Sequence, residues 1–227
     1  MASWIIHLRI ADALLDVLDV EASHFLAGNI APDCGPPVPA GGFDPDLHVT
    51  HFTQTKKDAC EYDRFWNEYG STARTPAQRS FYLGYFAHLM TDVLWVKWIN
   101  APTKARFPAL YRENRKEYYR LVKADWYDQD FLFLQKNPDF RSFRLFCGIP
   151  DYTNDWLPFY DSGNLPTQFA HIIRFYQEGQ ADPSRDYPYL TASQTDWFVE
   201  NAVAEILKSI SDICTDCTKV KSDFLLS

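Results

Sequence analysis

The sequence predicts an all-α protein, a single-domain multi-helix bundle over residues 1–227 with a long Pro/Gly-rich loop near residues 28–46. Three observations carry this. Apolar residues recur at helical spacing near both ends of the chain. The stretch Phe81–Ile99, FYLGYFAHLMTDVLWVKWI, is apolar on nearly every side of a helical wheel, as a helix at the centre of a globular protein must be. No segment shows the alternation of a half-buried strand. A chain of 227 residues can build a core large enough to stand without disulfides.

The elements follow in order. Residues 3–19 form an amphipathic helix, with Trp4, His7, Ala11, Leu14 and Leu18 on one stripe and Arg9, Asp12 and Asp16 elsewhere. The run GNIAPDCGPPVPAGGFDPD from Gly28 to Asp46 is too rich in proline for helix or central strand and reads as a loop. Ordered loops of that length are often functional. Residues 56–69 read as helix and 76–100 as the central helix, with Pro102 and Pro108 marking a boundary. Residues 109–135 read as two helical pieces, the second beginning near Asp125. Residues 137–163 are irregular, and helices follow at about 165–179 and 193–213, the last capped by Thr191 or Ser193.

Composition narrows the function. A net charge of −8 argues against a basic surface for nucleic acid and against docking on anionic lipid. The start, MASWIIHLRIADALLDVLDV, lacks a basic n-region, a clean apolar run and a small-residue cleavage site. No apolar run reaches the ~20 residues of a membrane span free of polar groups, so no stable membrane anchor is expected. Cys34, Cys60, Cys147, Cys214 and Cys217 are an odd set, read as free thiols in a reducing, cytoplasmic compartment. Cys214 and Cys217 have C-x-x-C spacing but lack the second pair that a zinc ribbon needs. Aromatics at 16% suit an apolar core or cleft walls.

The chemistry concentrates on the central helix. His88 and Asp92 lie four apart, on one face and one turn from each other, with Phe81, Tyr85, Trp95 and Ile99 on the same face. A buried unpaired charge costs several kcal/mol, so a partner is required. A metal cation answers both groups at once; Lys97 lies on the wrong side of the helix, and a distant Arg or Lys is the other partner open to Asp92. His7 points inward from the first helix, as a core histidine or as a ligand. Asp33 sits in the rigid loop, as a turn former or as a ligand. His48 and His51 share a face if their segment is helical. His24 reads as a surface or capping residue and His171 as a core or groove residue, with a ligand role open for each.

The ordered set H-x-R-I-A, G-N-I-A-P-D, H-F and Y-x-x-G-Y-x-x-H-x-x-x-D-x-x-W resembles the zinc-dependent phospholipase C family, in one superfamily with the fungal single-strand nucleases. The likeness covers roughly residues 4–100, and YYRLVKADWYDQDF resembles a region of short bacterial members. The resemblance implies a helical domain binding zinc at the base of a cleft. His51, His88 and Asp92 would hold one ion with Asp33 beside them, and Asp92 would bridge to a second held by His7. Secreted members use the amine of a mature Trp as a ligand; here Asp125 or Asp130 would stand in for it. Trp98 occupies the place of a further family histidine, and no later H-x-x-x-E pair follows His171.

One or two zinc ions are therefore expected, with manganese or another divalent metal as substitutes and no organic cofactor. The implied activity is hydrolysis of a phosphodiester or other phosphoester, a phospholipid headgroup included, by a metal-bound hydroxide. Asp33 would orient or deprotonate the water. The alternative is a non-catalytic helical protein with a structural metal. A di-iron bundle is set aside for want of Glu-x-x-His pairs.

Overall fold

The computed structural model describes residues 1–39, 41–55, 58–214 and 217–218. They form helices joined by loops, and among the described residues β pairing is limited to the isolated bridges Leu18–Thr218 and Pro37–Phe43. Helix α1 (Trp4–Val17) turns Ile6, His7, Ile10, Ala11 and Leu14 inward, as its stripe predicts. Helix α2 (Ala22–Ile30) follows and runs into a 3₁₀ turn, Ala31–Asp33. The long loop thus begins only at Cys34 and not at Gly28. It leads to the short α3 (Leu47–Thr50) and then to α4 (Tyr62–Glu68). The helix expected from residue 56 starts at Tyr62; residues 56 and 57 lie outside the described residues.

The central helix α5 (Pro76–Trp95) is capped by Thr75, whose side chain accepts from the Gln78 amide. It is buried on all sides between Ser80 and Trp95, Val93 excepted. A π-helical turn, Val96–Asn100, carries the column on into α6 (Ala101–Arg106). Pro102, expected to end the helix, sits in the first turn of α6, where its missing N–H is tolerated.

Helices α7 (Pro108–Glu113) and α8 (Arg115–Lys136) divide at Asn114, which caps α8 by accepting from Glu117. The break expected near Asp125 is absent, and α8 passes straight through it. Within the stretch read as irregular lies α9 (Arg141–Cys147). Then come α10 (Asn164–Glu178) and α11 (Ala192–Ile213), the latter opened by a Thr191–Gln194 capping box. Of the five cysteines, Cys214 and Cys217 form a disulfide and only Cys34, Cys60 and Cys147 are free, which corrects the expectation of free thiols throughout. No helix among the described residues is long and apolar enough to cross a membrane.

The pairing of α2 with α5 positions everything that follows. A Cβ on Gly28 would lie 1.9 Å from the Phe81 carbonyl oxygen, and one on Gly84 would lie 2.0 Å from that of Phe25. Each helix therefore presents a glycine where the other's backbone passes, and only hydrogen fits.

Candidate metal centre

Four segments deliver His7, Asp33, His51, His88 and Asp92 to one place. His7 comes from α1, Asp33 from the end of the 3₁₀ turn, His51 from the C-cap of α3, and His88 with Asp92 from α5. His7 and His88 are fully buried, and Asp92 and His51 are almost so. Their ligating atoms form two overlapping groups, His7–His88–Asp92 and Asp33–His51–His88, within each of which all atoms lie within 4.8 Å of one another. The resemblance groups the same residues differently, placing His51 with Asp92. The structure allows that too, since His51 Nε2 is 3.5 Å from Asp92 Oδ2.

The local sequence explains how these groups are held. His88 Nδ1 lies 2.7 Å from the Asn29 carbonyl oxygen, across the glycine-lined contact of α2 and α5. That bond fixes the tautomer: Nδ1 carries the proton and Nε2 faces the cluster as a lone pair. The Trp4 indole donates to Asp33 Oδ2 at 2.9 Å. Tyr85, one turn before His88 on α5, donates to the Thr50 carbonyl at 2.5 Å and pins the residue before His51. Tyr160 does the same for Ala31, at 2.5 Å, and so steadies the turn that carries Asp33.

The remaining geometry fits a cation. His7 Nε2 is 3.4 Å from Asp92 Oδ1, His51 Nε2 is 3.4 Å from Asp33 Oδ1, and His88 Nε2 is 3.7 Å from Asp92 Oδ2. Ligands about 2.0–2.1 Å from a tetrahedral zinc stand about 3.4 Å from one another. Within the protein, both ring nitrogens of His7, Nε2 of His51 and His88, and Oδ2 of Asp92 are buried without a hydrogen-bond partner. Buried polar atoms are nearly always partnered, and a divalent ion would satisfy all of these but His7 Nδ1, which a ring ligating through Nε2 turns away from the ion.

Electrostatics favours the state that binds metal. Burial, then the neighbouring His7, holds His88 far below the usual imidazole range, at about 3. The two rings stack 3.8 Å apart and 2° from parallel. Burial resists ionisation of Asp33, but the close His51 imidazole, with His88 beside it, outweighs it and brings its carboxyl to about 2. Asp92 is likewise driven well below the carboxylate range. Burial opposes this, and the charge of the terminal amine, with the neighbouring His7 and His88 rings, overcomes it. The amide of Ala2 donates to Asp92 Oδ1 at 2.6 Å, and the Met1 amine lies 3.8 Å from the same oxygen.

Other candidates lie elsewhere. Asp125 accepts from Arg185 at 2.7 Å and from the Tyr189 amide at 2.8 Å, fastening the loop before α11 to α8. Asp130 accepts from Ser3 at 2.8 Å and Tyr176 at 2.5 Å. Both are spent on packing, and neither belongs to the ligand groups. His48 is half exposed beside Asp46. His24 bonds Tyr152 at 2.6 Å, and the His171 ring meets Trp4 edge-on. Trp98 packs on Trp197 and Phe198.

His51 and Asp92 open onto a cleft of about 870 Å³, within the size range of small-molecule sites. Phe43, Leu47, Val93, Val96, Tyr111 and Tyr119 supply its apolar lining. Residues 6–95 match the family described as zinc dependent phospholipase C. No curated protein and no solved structure matches the chain.

Proposed function

We propose that the chain, whose residues 6–95 match the zinc dependent phospholipase C family, hydrolyses phosphodiesters or related phosphoesters with one or two zinc ions held by His7, Asp33, His51, His88 and Asp92. The observation that carries this reading is the set of orphaned ligand atoms facing one another at the floor of an open cleft. When bound, zinc would polarise a phosphoryl oxygen and bring the pKa of a coordinated water toward ~7.

The chain's own residues do the rest. Asp33, ionised at neutral pH and held by Trp4 and His51, aligns the attacking water by accepting its proton in a hydrogen bond. As the new P–O bond forms and the bond to the leaving oxygen breaks, the water's proton ends on the leaving group. His88, kept neutral by burial, offers Nε2 and leaves no proton to compete with the cation. The aromatic cleft walls exclude bulk water from one side of the substrate. The substrate is a small phosphoester or a phospholipid headgroup. We propose the cytoplasm as the working compartment on the three free thiols Cys34, Cys60 and Cys147, against which the Cys214–Cys217 disulfide weighs.

Complete burial of His7 and His88 also suits a structural ion, and one experiment separates the readings. Zinc-loaded wild type and Asp33→Asn are assayed on bis(4-nitrophenyl) phosphate, with metal counted by elemental analysis. Turnover that falls by about 10²-fold or more in the variant, with zinc retained, supports hydrolysis. Retained zinc and no turnover in the wild type on any phosphoester supports the structural ion.

A further inference from the structure

Beyond the metal centre, the cleft has a second end that the family match does not reach. Val93, Val96, Asn100 and Lys104 all line it. Their spacing of three, four and four residues makes one continuous face along α5, the π turn and α6. That face leads from Asp92 to Lys104 and ends against Tyr111, Arg115 and Tyr119 of α7 and α8. The Lys104 ammonium lies 4.0 Å from the centre of the Tyr111 ring, and the Arg115 guanidinium lies 5.4 Å from it and 5.8 Å from that of Tyr119. Two cations thus gather on one phenol ring, and no carboxylate pairs with either among the described residues. Both also act on the Tyr111 hydroxyl, Lys104 first, and lower its titration point.

This arrangement is electrostatically uphill. Arg115 opens α8, where the helix dipole disfavours a positive charge. The protein carries net −8 and pairs Arg9, Arg64, Arg120, Arg141, Arg144 and Arg185 with carboxylates. Of the cleft's acids, Asp92 belongs to the metal centre, Asp46 caps α3 and faces His48, and Asp58 accepts from the Thr55 amide. An anion between Lys104 and Arg115 would relieve their repulsion and use both.

We propose that Lys104 and Arg115, on the platform of Tyr111 and Tyr119, form an anion subsite, and that the substrate is a phosphoester bearing a second phosphate or carboxylate. The subsite rests on the hydrolase reading for its catalytic consequence, though not for its binding. The span is defined by the helix. Twelve residues from Asp92 to Lys104 cover about 18 Å of axis, and the lysine stem leans back toward the N-terminus. The second charge therefore lies on the order of 10 Å from the scissile phosphorus.

The test compares glycerophosphoinositol with glycerophosphoinositol 4-phosphate, diesters that differ by one remote phosphate, on zinc-loaded protein. The 4-phosphate is expected to have a kcat/KM about tenfold higher. In Lys104→Met/Arg115→Met that ratio falls to within about twofold of one. A general loss of active protein cannot move a ratio. Binding of the same pair to zinc-loaded Asp33→Asn, by calorimetry, gives a readout without turnover. A tighter 4-phosphate complex, lost when Lys104→Met/Arg115→Met is added, upholds the subsite even if no hydrolysis is ever seen. Hydrolysis without preference, or equal binding of the two diesters, overturns it and leaves the hydrolase reading standing. The same preference on phosphatidylinositol 4-phosphate over phosphatidylinositol in phosphatidylcholine vesicles also supports it, and identifies the source as lipid.

Discussion

Stripping the metal should destabilise the protein far more than removing an ion from a surface site would. Four buried ligand atoms, Nε2 of His7, His51 and His88 and Oδ2 of Asp92, have no partner within the protein. Leaving a buried polar atom unsatisfied costs about 1–3 kcal/mol. Taking the lower bound, because neighbouring orphans relax together, the metal-free site carries about 4 kcal/mol of penalty that a bound ion removes. For a chain of this length each kcal/mol moves Tm by about 2–4 °C, so chelation should lower Tm by roughly 8–16 °C. The assay is a calorimetric melt of native protein and of protein dialysed against a strong chelator, with residual metal counted in both. Re-addition of zinc should restore the transition, and Tm should then climb with the logarithm of free zinc. A shift below about 2 °C after verified removal would show that these atoms are satisfied some other way, and the argument for a buried centre would fail.

Two further outcomes test the frame around the site. Gly28→Ala drives a Cβ to within 1.9 Å of the Phe81 carbonyl oxygen; it should cost about 3 kcal/mol or more and weaken zinc binding by loosening the Asn29–His88 bond. Normal stability in a denaturant titration would contradict the close contact of α2 with α5. Asp130 carries a pKa raised to about 7, because burial outweighs the Tyr176 and Ser3 hydrogen bonds. The native state therefore binds this proton more tightly than the unfolded chain. Stability from this group is complete below about pH 4 and is lost as pH rises toward 7, by up to about 4 kcal/mol. Asp130→Asn should raise Tm at pH 8 and change it little at pH 4; equal shifts at both would refute the assignment.

The strongly patterned helices were legible from sequence. The stripe of α1, the all-round apolar face of α5 and the Thr191 cap of α11 are local signals, and each sits where the residues place it. Helix α2 was hidden because Gly28 falls in a run of glycine and proline. Its glycine serves a neighbouring backbone and not a turn, and no local pattern separates those uses. The break before α8 was misplaced because Asn114 caps through a single side-chain bond, whereas the aromatic change near Asp125 is only a change of surface. His7, Asp33, His51, His88 and Asp92 were readable as ligand chemistry. Asp125 and Asp130 show what spacing cannot resolve: their partners, Arg185 and Tyr176, lie more than forty residues away. The carbonyl of Asn29 left no side-chain signature at all, although Tyr85, one turn from His88, did.

The π turn at Val96–Asn100 makes the alignment of the cleft depend on chain length as well as on composition. A wide turn of this kind holds about one residue more than the α-helix it interrupts. Excising that extra residue would let the column close into regular helix with Lys104 still on the shared face, because the wide turn has already absorbed it. Excising a residue from the first turn of α6 would instead swing everything beyond it by about 100°. His88 and Asp92 would keep their places, while Lys104 would be carried off the shared face. The column beyond Asp92 thus tolerates the loss of one residue inside the five-residue window and not outside it.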